Sequence, residues 1–126
     1  MSIKQAIEGR VGQLAEAANL GDSEKVSQFY TENALLMPPG SPQVEGRAAI
    51  RDVWQGMFDA GVKDIKFTCH EASEAGGTVI EVSSLSASAP TEDGSRTTLV
   101  GKYIVIWKKG DDGNWYAHRD IWNFDA

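Results

Sequence analysis

Apolar residues recur at three- and four-residue steps near the start of the chain: Ile3, Ile7, Val11, Leu14 and Ala18. This spacing predicts an amphipathic helix over residues 3 to 19. Gly21 ends it, and Asp22 or Ser23 is suited to cap a short second helix with Val26, Phe29 and Tyr30 on one side. Ala34 to Met37 reads as a short apolar strand stopped by Pro38 and Pro39, and Gly40 to Glu45 as a loop. After Gly46 a helical stripe returns, with Ile50, Val53, Trp54, Met57 and Phe58 on one side, and Gly61 closes it. The period then changes to two. Strands are predicted over Asp64 to Ala75, Thr78 to Ala89 and Ser95 to Lys109, with Gly76-Gly77 and Pro90 to Gly94 as turns. "GDDGN" leads into a last strand, Trp115 to Asn123. Three helices, one small early strand and a four-stranded antiparallel meander predict an α+β fold with the helices covering one sheet face.

The last strand holds the most informative chemistry. Side chains alternate along a strand, so Tyr116, His118, Asp120 and Trp122 are expected on one face and Trp115, Ala117, Arg119 and Ile121 on the other. Residues two apart lie roughly 6.5–7 Å apart at Cα, close enough for His118 and Asp120 to share a hydrogen bond or converge on one ligand. A histidine, a carboxylate and two aromatics on one wall describe a binding cleft. The alternative is a self-satisfied polar network that anchors the strand to the first helix.

Composition narrows the choice. The chain has 126 residues, 41% hydrophobic, with a formal net charge of −6. That length fits one domain, residues 1–126, with one core. The charge argues against a nucleic-acid or anionic-membrane partner. No apolar run approaches the ~20 residues of a membrane-spanning helix, and the opening residues carry no apolar signal core. Cytoplasmic residence is therefore expected. The single Cys69 reads as a buried small hydrophobe. His70 beside it points to the opposite face, so no metal pair is expected there, and "GDDGN" has too few oxygens for a calcium loop. No glycine-rich phosphate loop or nucleophile elbow occurs, and no cofactor is expected.

The strings "NLGDSEKVSQFYTENALLMPPGSP", "EGRAAIRDVWQGMF" and "GKYIVIWKKGDDGNWYAHRDIWN" match the nuclear transport factor 2-like superfamily in order and spacing. Within it the chain resembles small bacterial SnoaL-like (polyketide-cyclase-like) and ketosteroid-isomerase-like proteins, with "HRDIWN" the most specific string. The resemblance implies a cone: a curved antiparallel sheet wrapped on three helices, its open end a pocket and its outer face paired with a second subunit. It places Tyr103, Val105 and Trp107 inward with His118, Asp120 and Trp122, and Ile80, Val82, Ser84 and Ser86 inward one strand further. A β-bulge would flip part of any such strand. Ile104, Ile106, Ile121, Leu85 and Ala117 then fall on the outer face and favour a homodimer. Glu81 and Arg119, expected on that face too, would form an ion pair.

Steroid isomerisation uses a carboxylate base and an oxyanion hole of tyrosine and protonated aspartic acid. Alignment of the helix-turn Gly-Asp sets Leu14 at the tyrosine, Met37 or Pro38 at the base and Val105 at the acid. None of these side chains transfers a proton, so ketosteroid isomerase is rejected. The expected function is a small-molecule pocket, of cyclase, isomerase or lyase type. His118 and Asp120 are the candidate proton-transfer residues, and Tyr30, Met37, Trp54, Phe58, Tyr103 and Trp122 the candidate ligand contacts. The ligand would be apolar to amphipathic. The alternative is a non-catalytic dimerisation or assembly module with a vestigial pocket.

Overall fold

A computed structural model describes all 126 residues. Helix α1 (Ile3–Asn19) starts at a capping box: Ser2 Oγ accepts from the Gln5 backbone N–H, and the Gln5 side chain accepts from the Ser2 N–H. It buries Ile7, Val11, Leu14, Ala17 and Ala18, the stripe read from the sequence. Helix α2 (Ser23–Ser27) is a single short piece capped by Asp22. Strand β1 (Tyr30–Met37) begins four residues before the predicted Ala34, so Tyr30 is a strand residue and not part of a helical face. Val44–Glu45, expected in a loop, form the short strand β2. Helix α3 (Arg47–Asp59) follows Gly46, whose φ of 92° lies where a side chain would be strained.

The remainder is the expected meander: β3 (Lys63–Ala75), β4 (Thr78–Pro90), β5 (Arg96–Lys109) and β6 (Trp115–Phe124). The six strands form one curved sheet in the order β2-β1-β6-β5-β4-β3. It is mixed rather than wholly antiparallel, because β1 runs parallel to β6. The architecture is the α+β cone-like fold expected from the sequence. Helix α1 packs on β3 and is tied to it by Asn19, whose amide accepts from the Ile65 N–H at 2.8 Å and donates to the Ile65 carbonyl at 2.9 Å. One apolar cluster joins Ile7 and Val11 of α1, Ile50 and Trp54 of α3, and Val79, Val105 and Trp107 of the sheet. Each such side chain stabilises the fold by about 1.5–3 kcal/mol on burial.

Two details of the sheet decide which side chains meet inside it. First, β4 and β5 pair with Glu81 opposite Val105 and Ser83 opposite Tyr103. Directly opposed residues share a face, so Val79, Glu81, Ser83, Leu85 and Ala87 turn toward the helices. Ile80, Val82, Ser84 and Ser86 turn away, the reverse of the expectation. Second, the β5–β6 register shifts between Ile106↔Arg119 and Trp107↔Ala117, leaving His118 as an extra residue in β6. The bulge lets Trp115 and Ala117 face inward before it and Asp120 and Trp122 after it.

Candidate functional site

Between the helices and the concave sheet face lies a cavity of about 100 Å³. Val11 and Leu14 of α1, Trp54 and Met57 of α3, and Tyr30 of β1 form one side. Glu81, Tyr103, Val105, Asp120 and Trp122 belong to the sheet wall. Lining residues such as Val62, Phe67, Leu99 and Phe124 are only half-buried and mark an apolar mouth, whereas Glu81 and Tyr30 are wholly buried and form a polar floor.

The floor holds two carboxyl groups in one cross-strand row. Val105 on β5 pairs with Glu81 on one side and with Asp120 on the other. Two strand spacings put their Cα atoms about 10 Å apart. Asp120 is held by a tyrosine that a tryptophan braces, and Glu81 directly by a tyrosine, a serine and a tryptophan. Tyr30 Oη donates to Asp120 Oδ2 at 2.7 Å, and Trp54 Nε1 donates to Tyr30 Oη at 3.3 Å. Tyr103 Oη and Ser83 Oγ donate to Glu81 Oε2 at 2.6 and 2.5 Å, and Trp107 Nε1 donates to Glu81 Oε1 at 2.9 Å. Glu81 thus sits in a cradle of three donors, built for an acceptor.

Asp120 is different. Tyr30 is its one side-chain partner, so Oδ1 accepts no hydrogen bond and retains surface in the cavity. Burial is the main cause that lifts its pKa from 3.8 to about 7. The charge of Glu81 pushes the same way and the Tyr30 bond opposes both. Burial beside these carboxylates also raises the pKa of Tyr30 and of Tyr103, so both stay protonated donors. A carboxyl that titrates near neutral pH, with one oxygen turned to an apolar space, can both give and take a proton.

Of the residues singled out in the sequence, the structure brings Asp120, Tyr30, Trp54, Tyr103 and Trp122 to this cavity. It does not bring His118 there. The bulge turns His118 to the outer side, where Nδ1 lies 2.8 Å from Thr31 Oγ1; partial burial and the charges of Arg119 and Lys108 lower its pKa. The expected His118–Asp120 wall is therefore corrected to two faces. Tyr116 also faces out and donates to Asp112 in the "GDDGN" turn. Met37, at the end of β1 opposite Ile121, is outside the lining, as is Phe58, which packs on Trp54 with ring centroids 6.0 Å apart. Their neighbour Met57 reaches the cavity instead, one residue before Phe58 on the turning face of α3.

The expected Glu81–Arg119 ion pair does not form either. Glu81 is buried in the cavity, and Arg119 donates to the His118 carbonyl. Leu85 and Ala117, expected outside, also line the cavity. Glu81 is the functional candidate that sequence reasoning missed. Its signal lay in the hairpin: a loop with an odd number of residues between Pro90 and Arg96 pairs odd positions with odd, so Val105 facing inward carries Glu81 with it.

The model of the SnoaL-like domain family matches residues 11–118. No curated protein matches the sequence. Among solved structures the chain is similar to a ketosteroid isomerase-like protein from Erwinia carotovora atroseptica SCRI1043, with a TM-score of 0.85 at 21% identity over 97% of this chain and 95% of that one. It is also similar to a nuclear transport factor 2-like protein with a cystatin-like fold from Novosphingobium aromaticivorans (TM-score 0.76, 18% identity, 96% and 80% covered). A third is a Catenulispora acidiphila protein solved in complex with S-DNPA (TM-score 0.79, 15% identity, 96% and 92% covered). At these identities the likenesses show the fold, and the family match over most of the chain shows the rest: the protein belongs to the SnoaL-like domain family of the nuclear transport factor 2-like superfamily.

Proposed function

We propose that this protein binds a small apolar or amphipathic molecule in its cavity and that Asp120 transfers a proton there, in a reaction of cyclase, isomerase or lyase type. One observation carries the reading: a carboxyl nine-tenths buried, with Oδ1 unbonded, is turned into a space walled by aromatic and aliphatic groups. Few convergent polar groups in a mostly apolar pocket are the usual make-up of a ligand site. As a carboxylate, Asp120 would take a proton from the carbon next to a carbonyl; as an acid it would return it elsewhere on the same molecule. Tyr30, held by Trp54, fixes the carboxyl's orientation. His118 has no part in this reading, since it lies on the other face.

The size of the space favours a small ligand. At about 100 Å³ it is below the roughly 150 Å³ of an engineered cavity that takes up benzene. A short chain or a polar head reaches the floor, and a ring or any larger remainder extends into the mouth. Leu14 and Val105 line the same cavity without a proton to give, which supports a reaction other than steroid isomerisation. The Catenulispora acidiphila neighbour was solved in complex with S-DNPA, which adds weight to a binding role.

The outer sheet face supports a homodimer in the same reading. Ile80, Ile104, Ile121 and Val100 are each 44–49% exposed. Ile104 pairs directly with both Val82 and Ile121. The runner-up function, an assembly module with a vestigial pocket, draws on this face alone and leaves the unbonded Asp120 oxygen without a use. Native mass spectrometry of the purified protein, followed by denaturing release, tests the choice. A bound small molecule that Asp120→Asn loses supports the pocket. A protein that binds nothing from a panel of small cyclic ketones, lactones and amines, and whose pocket variants assemble normally, is the assembly module.

A further inference from the structure

We propose that the molecule bound in this cavity is a small organic cation, a protonated amine on an apolar body, with its ammonium group seated on the floor between Glu81 and Asp120. The inference rests on the pocket reading above and narrows its ligand to one charge class.

Three observations carry it. The cavity lining includes two carboxyl groups and no lysine, arginine or histidine. The four salt bridges of the protein are all at the surface, and none involves Glu81 or Asp120. Both acids are therefore buried without a counter-cation, a costly arrangement that a positive ligand relieves. The second observation is the wall. Tyr30, Trp54, Phe67, Tyr103, Trp107 and Trp122 all line the space, and aromatic faces attract a cation most strongly where it is desolvated. The third is the unbonded Asp120 Oδ1, which offers an acceptor to an N–H at the floor. Glu81 takes three donors and has lone-pair capacity left on Oε1, where Trp107 is the only partner.

A proton balance follows. The groups that face Asp120 are Glu81 from β4, Tyr103 from β5 and Tyr30 from β1, and α3 presents only the neutral Trp54. Glu81 disfavours ionisation of Asp120, whereas an ammonium between them favours it. Binding of the cation at neutral pH then releases a proton from Asp120 to buffer, and binding of a neutral molecule does not.

The test compares benzylamine with benzyl alcohol, near-isosteric, the first a cation at pH 7 and the second neutral. Titration calorimetry at pH 7 in two buffers of different ionisation enthalpy reads both affinity and proton release. The expected result is benzylamine binding at least ten-fold more tightly than benzyl alcohol, with net proton release for the amine only. Asp120→Asn and Glu81→Gln should each erase most of that preference, and Asp120→Asn should erase the release. Benzyl alcohol binding as tightly as the amine overturns the cation inference and leaves the pocket reading standing. Binding of neither compound overturns the cation inference too, and the native mass spectrometry and wider panel above then decide the pocket reading separately. The wild-type ratio decides the matter even where Glu81→Gln fails to fold.

Discussion

Replacing Asp120 by asparagine should make the protein more stable as the pH rises. The carboxyl is buried, and its pKa in the folded protein is about 7 against an ordinary 3.8. A carboxyl whose folded pKa is raised binds its proton more tightly in the native state than in the unfolded one. Below pH 3.8 both states hold the proton and no cost arises. Between pH 3.8 and 7 the unfolded chain releases the proton while the native protein keeps it, and native stability falls steadily. Above pH 7 the cost is constant. At about 1.4 kcal/mol for each pKa unit, the full penalty is about 4 kcal/mol. That is a large share of the roughly 5–15 kcal/mol by which domains of this kind are stable. Asparagine keeps the shape and can still accept from Tyr30 through its amide oxygen, but it has no charge to bury. The assay is urea denaturation followed by tryptophan fluorescence, for wild type and variant, at intervals from pH 4 to 9. The difference between the two should grow in favour of the variant from pH 4 to about 7 and then level off. The comparison cancels the titrating groups that do not interact with Asp120, His118 included. A difference that is flat with pH, or that grows in favour of wild type, refutes the claim that Asp120 is buried as an acid.

The other expectations are simpler. His118→Ala should leave binding in the cavity unchanged and cost about 1 kcal/mol of stability through loss of the Thr31 contact; a loss of ligand affinity comparable to that of Asp120→Asn would return His118 to the site. Gly101→Ala should lower the melting temperature sharply, because a Cβ there runs into the backbone oxygen of Asn123 on the paired strand β6; an unchanged melting temperature would show that this end of the β5–β6 pairing can separate at no cost. Ile104→Lys should turn a dimer into a monomer in sedimentation at micromolar concentration, since it charges the centre of the exposed apolar row; a wild-type protein already monomeric there removes the outer-face dimer.

Most of the fold was legible because its signals are local. The α1 stripe, the Gly-bounded α3 and the four long strands each announce themselves within a dozen residues. What was not legible depends on partners far away in sequence. Tyr30 looked helical because Val26 and Phe29 precede it at helical spacing, yet pairing with Ala117 makes it a strand residue. The parallel β1–β6 pairing likewise joins segments at opposite ends of the chain. For the site, Asp120 and Trp122 were read correctly as neighbours of Tyr103 on one face, because no irregularity separates them. His118 was misplaced by one extra residue: a strict period of two carried from Asp120 back through the bulge lands on the wrong side. No residue type near Arg119 marks that bulge in the sequence.

Glu81 teaches the converse lesson. Its neighbours Ile80 and Val82 are more apolar than it is, so hydrophobicity alone turns Glu81 outward. The sheet turns it inward, and what makes this tolerable is far off in the chain: Tyr103 and Trp107, two residues to either side of its β5 partner Val105, spend their polar atoms on its carboxylate. A buried acid with three donors and no cation does not serve the core better than a leucine would. Asp120, buried on the other side of Val105 with a single donor, is worse placed still. A fold with two such groups in one apolar cavity gives up stability at that spot. The outward apolar row of Ile80, Ile104 and Ile121 shows that the same strands had hydrophobic side chains to place inside. Their being spent on the outer face while acids occupy the inner one makes sense when both surfaces have occupants: a second subunit outside, and a ligand within that answers the charge.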